Sequence, residues 1–313
     1  METTRLNLRP LCVLGVAGLL GLLGLLQLGM ATRNLTQPVA YRRRHAPRPY
    51  TFPDGGRTLF PDYRFVALYG SLQYPELGAL GEQSMDQSIA RAKALAARYQ
   101  PLVSEHVMPA FEIIATVASD SPTEDGDYSA ALNPAQIQPW ITAARQNDMY
   151  VVLDLQPGRS DFLTQAKLYT SLLKLPNVGL ALDPEWRLKP DQVPLAQIGS
   201  VSIDEVNRTL TWLSDLTAKG HLPQKLVVLH EFRSDMLPDR QNLDTSHANL
   251  AYVIQMDGSG PPAGKQDTWR GITANPPANV SFGWKNFYHQ DTPMIDPAAT
   301  MAIRPQPRYV SYQ

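Results

Sequence analysis

From residue 61 onward, short apolar runs alternate with stretches whose apolar positions recur every three or four residues. The runs span 64–69, 110–118, 149–155, 178–183, 225–231, 250–257 and 280–284, with a weaker eighth at 308–312. Each is almost continuously apolar and rich in β-branched side chains, as expected of a strand covered on both faces. The helix-compatible stretches are 83–99, 134–147, 161–173 and 202–219. Asn133-Pro134, and Ser202 with Glu205 three places on, are residues with which helices begin. Strand then helix, repeated along the chain, predicts parallel β/α architecture. The turn after the first strand, Tyr69-Gly70-Ser71-Leu72-Gln73-Tyr74, lacks the glycine spacing of a nucleotide-binding open sheet. The expected fold class is therefore α/β, a (β/α)8 TIM-type barrel. Its last quarter is expected to be irregular, because Pro261, Pro262, Pro276, Pro277 and Pro293 interrupt helical spacing there.

The start of the chain follows another pattern. Arg5 and Arg9 precede an apolar run over 11–26, and Gly29-Met30-Ala31 then supplies small residues. Residues 1–31 thus read as a signal peptide or an uncleaved membrane anchor, which predicts a secreted or cell-envelope protein. Residues 32–60, rich in Arg and Pro, read as a linker, leaving 61–313 as one barrel domain. The membrane is expected as a partner only through residues 11–31.

Charge narrows the function classes. Lys and Arg number 28 against 29 Asp and Glu, with no concentrated basic surface to displace the counterions of a nucleic acid. Arg42-Arg43-Arg44 is the one basic run, and it lies in the linker. Cys12, the single cysteine, lies at the start of the chain, so the barrel has no disulfide, thiolate zinc site or cysteine nucleophile.

In a (β/α)8 barrel the loops after the strands form the active site, so polar residues at the ends of the runs are the candidates. They are Tyr69, Asp154 with Arg159, Asp183, Glu185, Trp186, His230, Glu231, Gln255, Asp257, Trp284 and Lys285. Glu112 stands early in its run and is expected at the other end. Asp154, Asp183, Glu185, Glu231 and Asp257 would gather like charge in one mouth, an arrangement that persists where acids share protons or bind a cation. Asp183 and Glu185 are two apart, so along a strand they emerge on the same side. One such carboxyl can stay protonated as a general acid toward a glycosidic oxygen while the other is ionised. Glu185, Asp183 and Asp257 are accordingly the expected catalytic residues. Asp154, Trp186, Tyr69, Glu231, Gln255, Trp284 and Lys285 are the expected contacts to a carbohydrate. Asp154 with Arg159 also reads as a charge pair holding its loop, and His230 as a hydrogen-bonded structural residue. This chemistry needs no metal and no cofactor.

The segment Gly179-Leu180-Ala181-Leu182-Asp183-Pro184-Glu185-Trp186 resembles the fourth-strand motif of the chitinase-like glycoside hydrolases (glycoside hydrolase family 18). That resemblance, over eight residues, implies Glu185 as proton donor and Asp183 as the partner that orients the substrate's acetamido group. Ala181 departs from it, standing where the family has an Asp, and so does Pro184 between the acids. Over the segments VLDLQPGR, LDPEW and WKNFY the chain resembles uncharacterised secreted bacterial (β/α) barrel proteins, which implies an envelope location and no particular activity. Two alternatives stand beside a hydrolase: a non-catalytic barrel that binds glycan or organises the envelope, and a metal-assisted hydrolase using Asp154, Asp183, His230 and Asp257.

Overall fold

The computed structural model describes residues 50–313. The segment expected as signal or anchor, and most of the expected linker, lie outside the described residues. Among the described residues no helix is long and apolar enough to cross a membrane.

Nine strands form: β1 (Tyr63–Gly70), β2 (His106–Ala118), β3 (Ser129–Ala131), β4 (Tyr150–Leu155), β5 (Val178–Leu182), β6 (Lys225–Glu231), β7 (Leu250–Met256), β8 (Val280–Asn286) and β9 (Tyr309–Tyr312). Eight of them pair in parallel around a closed ring, β1-β2-β4-β5-β6-β7-β8-β9, with β9 returning to β1. The fold is a (β/α)8 TIM barrel. The short β3 adds an antiparallel hairpin to the upper end of β2.

Helices α1 (Met85–Tyr99), α2 (Pro134–Gln146), α3 (Phe162–Leu168), α4 (Thr170–Leu173), α5 (Ile203–Lys219), α6 (Pro262–Thr273) and α7 (Pro297–Ala302) surround the ring. Ser84, Asn133 and Ser202 cap α1, α2 and α5 through their side chains, satisfying amide groups that have no partner in the first turn. The last quarter is irregular between β8 and β9, where α7 has only six residues, but not every proline there is a break. Pro262 opens α6, where a missing N–H costs nothing and a fixed φ helps. Among the described residues it is the connection between β6 and β7 that has only short 3-10 turns.

Two apolar layers follow from strand alternation. Inward side chains such as Phe65, Ala110, Tyr150, Val152, Ala181, Val228 and Val253 fill the barrel, and outward ones pack against the helices. Phe52 and Leu59, at the end of the stretch read as linker, are buried against the inner layer. Phe52 packs on Tyr63 at 5.5 Å and Tyr150 at 6.5 Å, closing the amino-terminal end of the barrel. Gly179 makes room for Tyr150 to cross the interior and accept the Leu226 N–H at 3.1 Å. A Cβ there would meet the Leu226 carbonyl and the Tyr150 ring. Gly179→Ala is therefore expected to cost about 1–3 kcal/mol by overpacking, read as a lower urea midpoint at unchanged slope.

Candidate active site

The carboxyl end of the barrel holds a cavity of about 540 Å³, lined in part by Tyr69, Asp183, Glu185, Trp186, Asp257 and Lys285. Of the residues expected from sequence, these six converge. Asp183 follows the last residue of β5 and turns the chain: its side chain accepts the Glu185 N–H at 3.3 Å, and Pro184 opens a one-turn 3-10 helix. Pro184 thereby sets the turn that carries Glu185 into the cavity. Gly199 clamps the turn from outside, its N–H donating to the Glu185 carbonyl at 2.7 Å. A Cβ on Gly199 would collide with the carbonyls of Pro184, Glu185 and Arg187, so only glycine permits this approach. Arg187 is spent on Glu205 of α5, with N···O distances of 2.9 and 3.1 Å. Among the described residues no ion pair engages Glu185.

Beneath the cavity runs a chain of charge. His230 on β6 donates from Nε2 to Glu112 at 2.8 Å and from Nδ1 to Asp257 at 2.7 Å. Lys285 on β8 meets Asp257 at 3.0 Å and lies 3.5 Å from the centre of the Tyr69 ring, a close cation–π contact. Tyr309 donates its hydroxyl to the other Glu112 oxygen at 2.9 Å. Burial pulls the proton affinity of His230 down, but the Glu112 and Asp257 charges more than reverse it and keep the imidazole protonated. Burial likewise works to raise Asp257, and Lys285 and His230 overcome it and hold that carboxyl below its ordinary range.

Three acids remain after these pairings. Burial, reinforced by the Asp257 charge and opposed by Lys285 and His230, lifts Glu185 to about 7. Asp183 is raised well above the carboxylate range by burial, with His230 opposing and Asp154, Glu185 and Asp257 adding to the rise. Asp154 is lifted to about 6 by burial, moderated by His230. The site therefore holds protons on carboxyl groups near neutrality, which is what acid catalysis asks of it.

Several expectations fail on strand parity. Trp284 points away from the barrel axis, packs edge-on against Trp269 at 5.7 Å and touches no part of the cavity. Glu231 also points outward, ion-paired to Arg240 behind the strand. Neither can contact a ligand in the mouth. Gln255 points inward but lies below the cavity, donating to Ser311 at 2.7 Å. Asp154 is buried under the floor and reaches the cavity only through Tyr69, whose hydroxyl it accepts at 3.0 Å. It does not pair with Arg159, which lies 4.3 Å from the centre of the Tyr128 ring and donates to the Gln192 carbonyl.

Glu112 faces inward opposite Tyr69, at the upper end of the barrel. β2 begins at His106, four residues before the apolar run, because Pro109 masks its start. Gln156, which carries no strand signal, lines the cavity, accepts the Ala118 N–H and donates to the Tyr69 hydroxyl.

Asp183, His230 and Asp257 bring potential ligand atoms within 4.8 Å of one another. They do not fit a metal ion. Both ring nitrogens of the imidazolium carry protons toward carboxylates, so His230 has no lone pair to offer, and Lys285 already occupies Asp257.

No protein-family model and no curated protein matches the chain. Among solved structures it is similar to the xylanase and α-amylase inhibitor protein XAIP-III, at 13% identity and a TM-score of 0.46. It is similar also to XAIP-I in complex with trehalose, at 12% and 0.45, and to XAIP-II from Scadoxus multiflorus, at 12% and 0.44. Each alignment covers 80% of this chain and 92% of the other.

Proposed function

We propose that this barrel is a glycoside hydrolase-like enzyme that acts on an envelope or extracellular glycan, residues 1–31 serving as its export signal or membrane anchor. The observation that carries this reading is the Asp183-Pro184-Glu185 turn. It presents Glu185, free of any ion pair among the described residues, to an open cavity in a setting that keeps its proton near neutrality. Glu185 gives that proton to the glycosidic oxygen, and the C–O bond breaks with its electron pair remaining on that oxygen. Asp183 lies beside the carbon that becomes electron-poor. Water then adds to the anomeric carbon, and its released proton restores Glu185, so that one bond and one water are consumed per cut.

The test is release of reducing ends from chitin, peptidoglycan and other amino-sugar polymers across pH. Hydrolysis is expected to decline on the alkaline side with a midpoint at about 7, where Glu185 loses its proton. Absence of any product over days would exclude catalysis on these polymers. Oligosaccharide binding in that case would select the second reading, a non-catalytic glycan-binding barrel. That reading draws on Asp257, which is held in two ion pairs and is not free to act as a base.

A further inference from the structure

Glu185 borders two hollows. Across Glu185 and Trp186 from the charged cavity lies a second one of about 510 Å³, lined also by Leu195, Ala196, Ile198 and Arg233. The two differ in chemistry. The first collects Asp183, Asp257, Lys285 and Tyr69; the second sets Leu195, Ala196 and Ile198 beside the Gln197 amide and the Arg233 guanidinium. Each volume alone lies within the range that holds a drug-sized ligand.

We propose that one glycan chain threads both hollows across Glu185, so that the protein binds within a polymer and cuts it at internal linkages. The cut rests on the hydrolase reading; the binding does not. A glycosidic oxygen has a sugar on either side, and an acid that protonates it must stand where two sugar sites meet. Glu185 stands at such a seam. The sugar whose anomeric carbon reacts belongs in the charged cavity, where Asp183 and Tyr69 stand beside Glu185. The departing sugar belongs in the second hollow, where the Trp186 ring and the side chains of Leu195 and Ile198 suit the apolar C–H face of a pyranose.

The rim of the second hollow supports the assignment. Leu195 is 78% exposed and has a φ of 66°, a left-handed conformation unusual for a bulky side chain. Its loop is held close to the acid through the Gly199 hydrogen bond to the Glu185 carbonyl. An apolar side chain held out in water against its own backbone preference, on a loop tied to the candidate acid, suits contact with a ligand that passes the seam.

The experiment uses the full chain carrying Glu185→Gln, with and without Leu195→Asp/Ile198→Ser. Calorimetry measures binding of N-acetylglucosamine oligomers of one to six units, peptidoglycan glycan fragments and cello-oligosaccharides. In at least one series affinity is expected to rise about tenfold or more once the chain is long enough to enter both hollows. The double change should remove that gain while leaving the short oligomers unaffected. The wild-type chain should lower the viscosity of the soluble polymer of that series well before reducing ends accumulate. Length-dependent binding that the double change abolishes, without cleavage by wild type, sustains the two-hollow site and overturns the hydrolase reading. Cleavage only from one chain end, with affinity independent of length, does the reverse. No binding in any series, together with no cleavage, overturns both.

Discussion

Glu185→Gln is expected to lower kcat for glycan hydrolysis by about 10²- to 10⁴-fold, the contribution typical of a positioned general acid, with little change in KM. Gln keeps the shape of the side chain, and the backbone contacts of the turn, the Asp183 cap and the Gly199 clamp, are untouched, so the loss isolates the transferable proton. The same change should alter stability in the opposite sense. In the folded chain Glu185 holds its proton up to about 7, against an ordinary value of 4.5. A carboxyl raised in this way contributes stability below its unfolded value and loses that contribution as pH rises through its folded value. At about pH 8 the wild type therefore carries an ionised group in a site that favours the neutral one, and the variant should melt at a higher temperature. By about pH 5 the gap should close. Activity of the variant within tenfold of wild type would remove Glu185 from the chemistry. A lower melting temperature at both pH values would mean that the turn itself had been damaged.

The acid pair was legible because it depends on local rules alone. The polar end of an apolar run marks the mouth of a parallel barrel, and that places Asp183; Glu185 reaches the same mouth not by strand alternation but through the one-turn 3-10 helix that Pro184 opens. Tyr69, Asp257 and Lys285 follow from the same rules. Where adjacent run-end residues are both candidates, parity separates them: His230 and Lys285 face in, and Glu231 and Trp284 face out. The eight-run rhythm was sufficient for the fold, but proline misled twice, marking the start of α6 as a break and hiding the first residues of β2. That second effect displaced Glu112, and with it the partner that defines His230. The two are 118 residues apart in sequence, and no spacing rule joins side chains brought together only by closing a ring of strands. Gln156 escaped for a different reason. It lies just beyond the end of β4, where its position depends on the β2–β3 hairpin that its side chain meets.

His230→Leu is expected to cost about 3–5 kcal/mol, the usual loss when one member of a buried ion pair is removed and its partner is left without compensation. Here two partners are stranded. Glu112 keeps only the Tyr309 hydroxyl, and Asp257 keeps only Lys285, in an interior where a carboxylate without water depends on every donor it has. The size of the effect should depend on pH. His230 has a folded proton affinity well above its ordinary value of 6.5, so its stabilising charge is fully present below about 6.5 and lost as pH rises through the higher folded value. The gap between wild type and variant, measured by urea unfolding, should be widest under mildly acidic conditions and narrow in the alkaline range. His230→Gln, which retains a donor but carries no charge, should fall between the two. Glu112→Leu combined with His230→Leu should recover part of the loss, because it removes a stranded carboxylate along with its cation. A single His230→Leu variant within 1 kcal/mol of wild type across the whole range would show that the charge chain beneath the cavity does not hold the barrel mouth together.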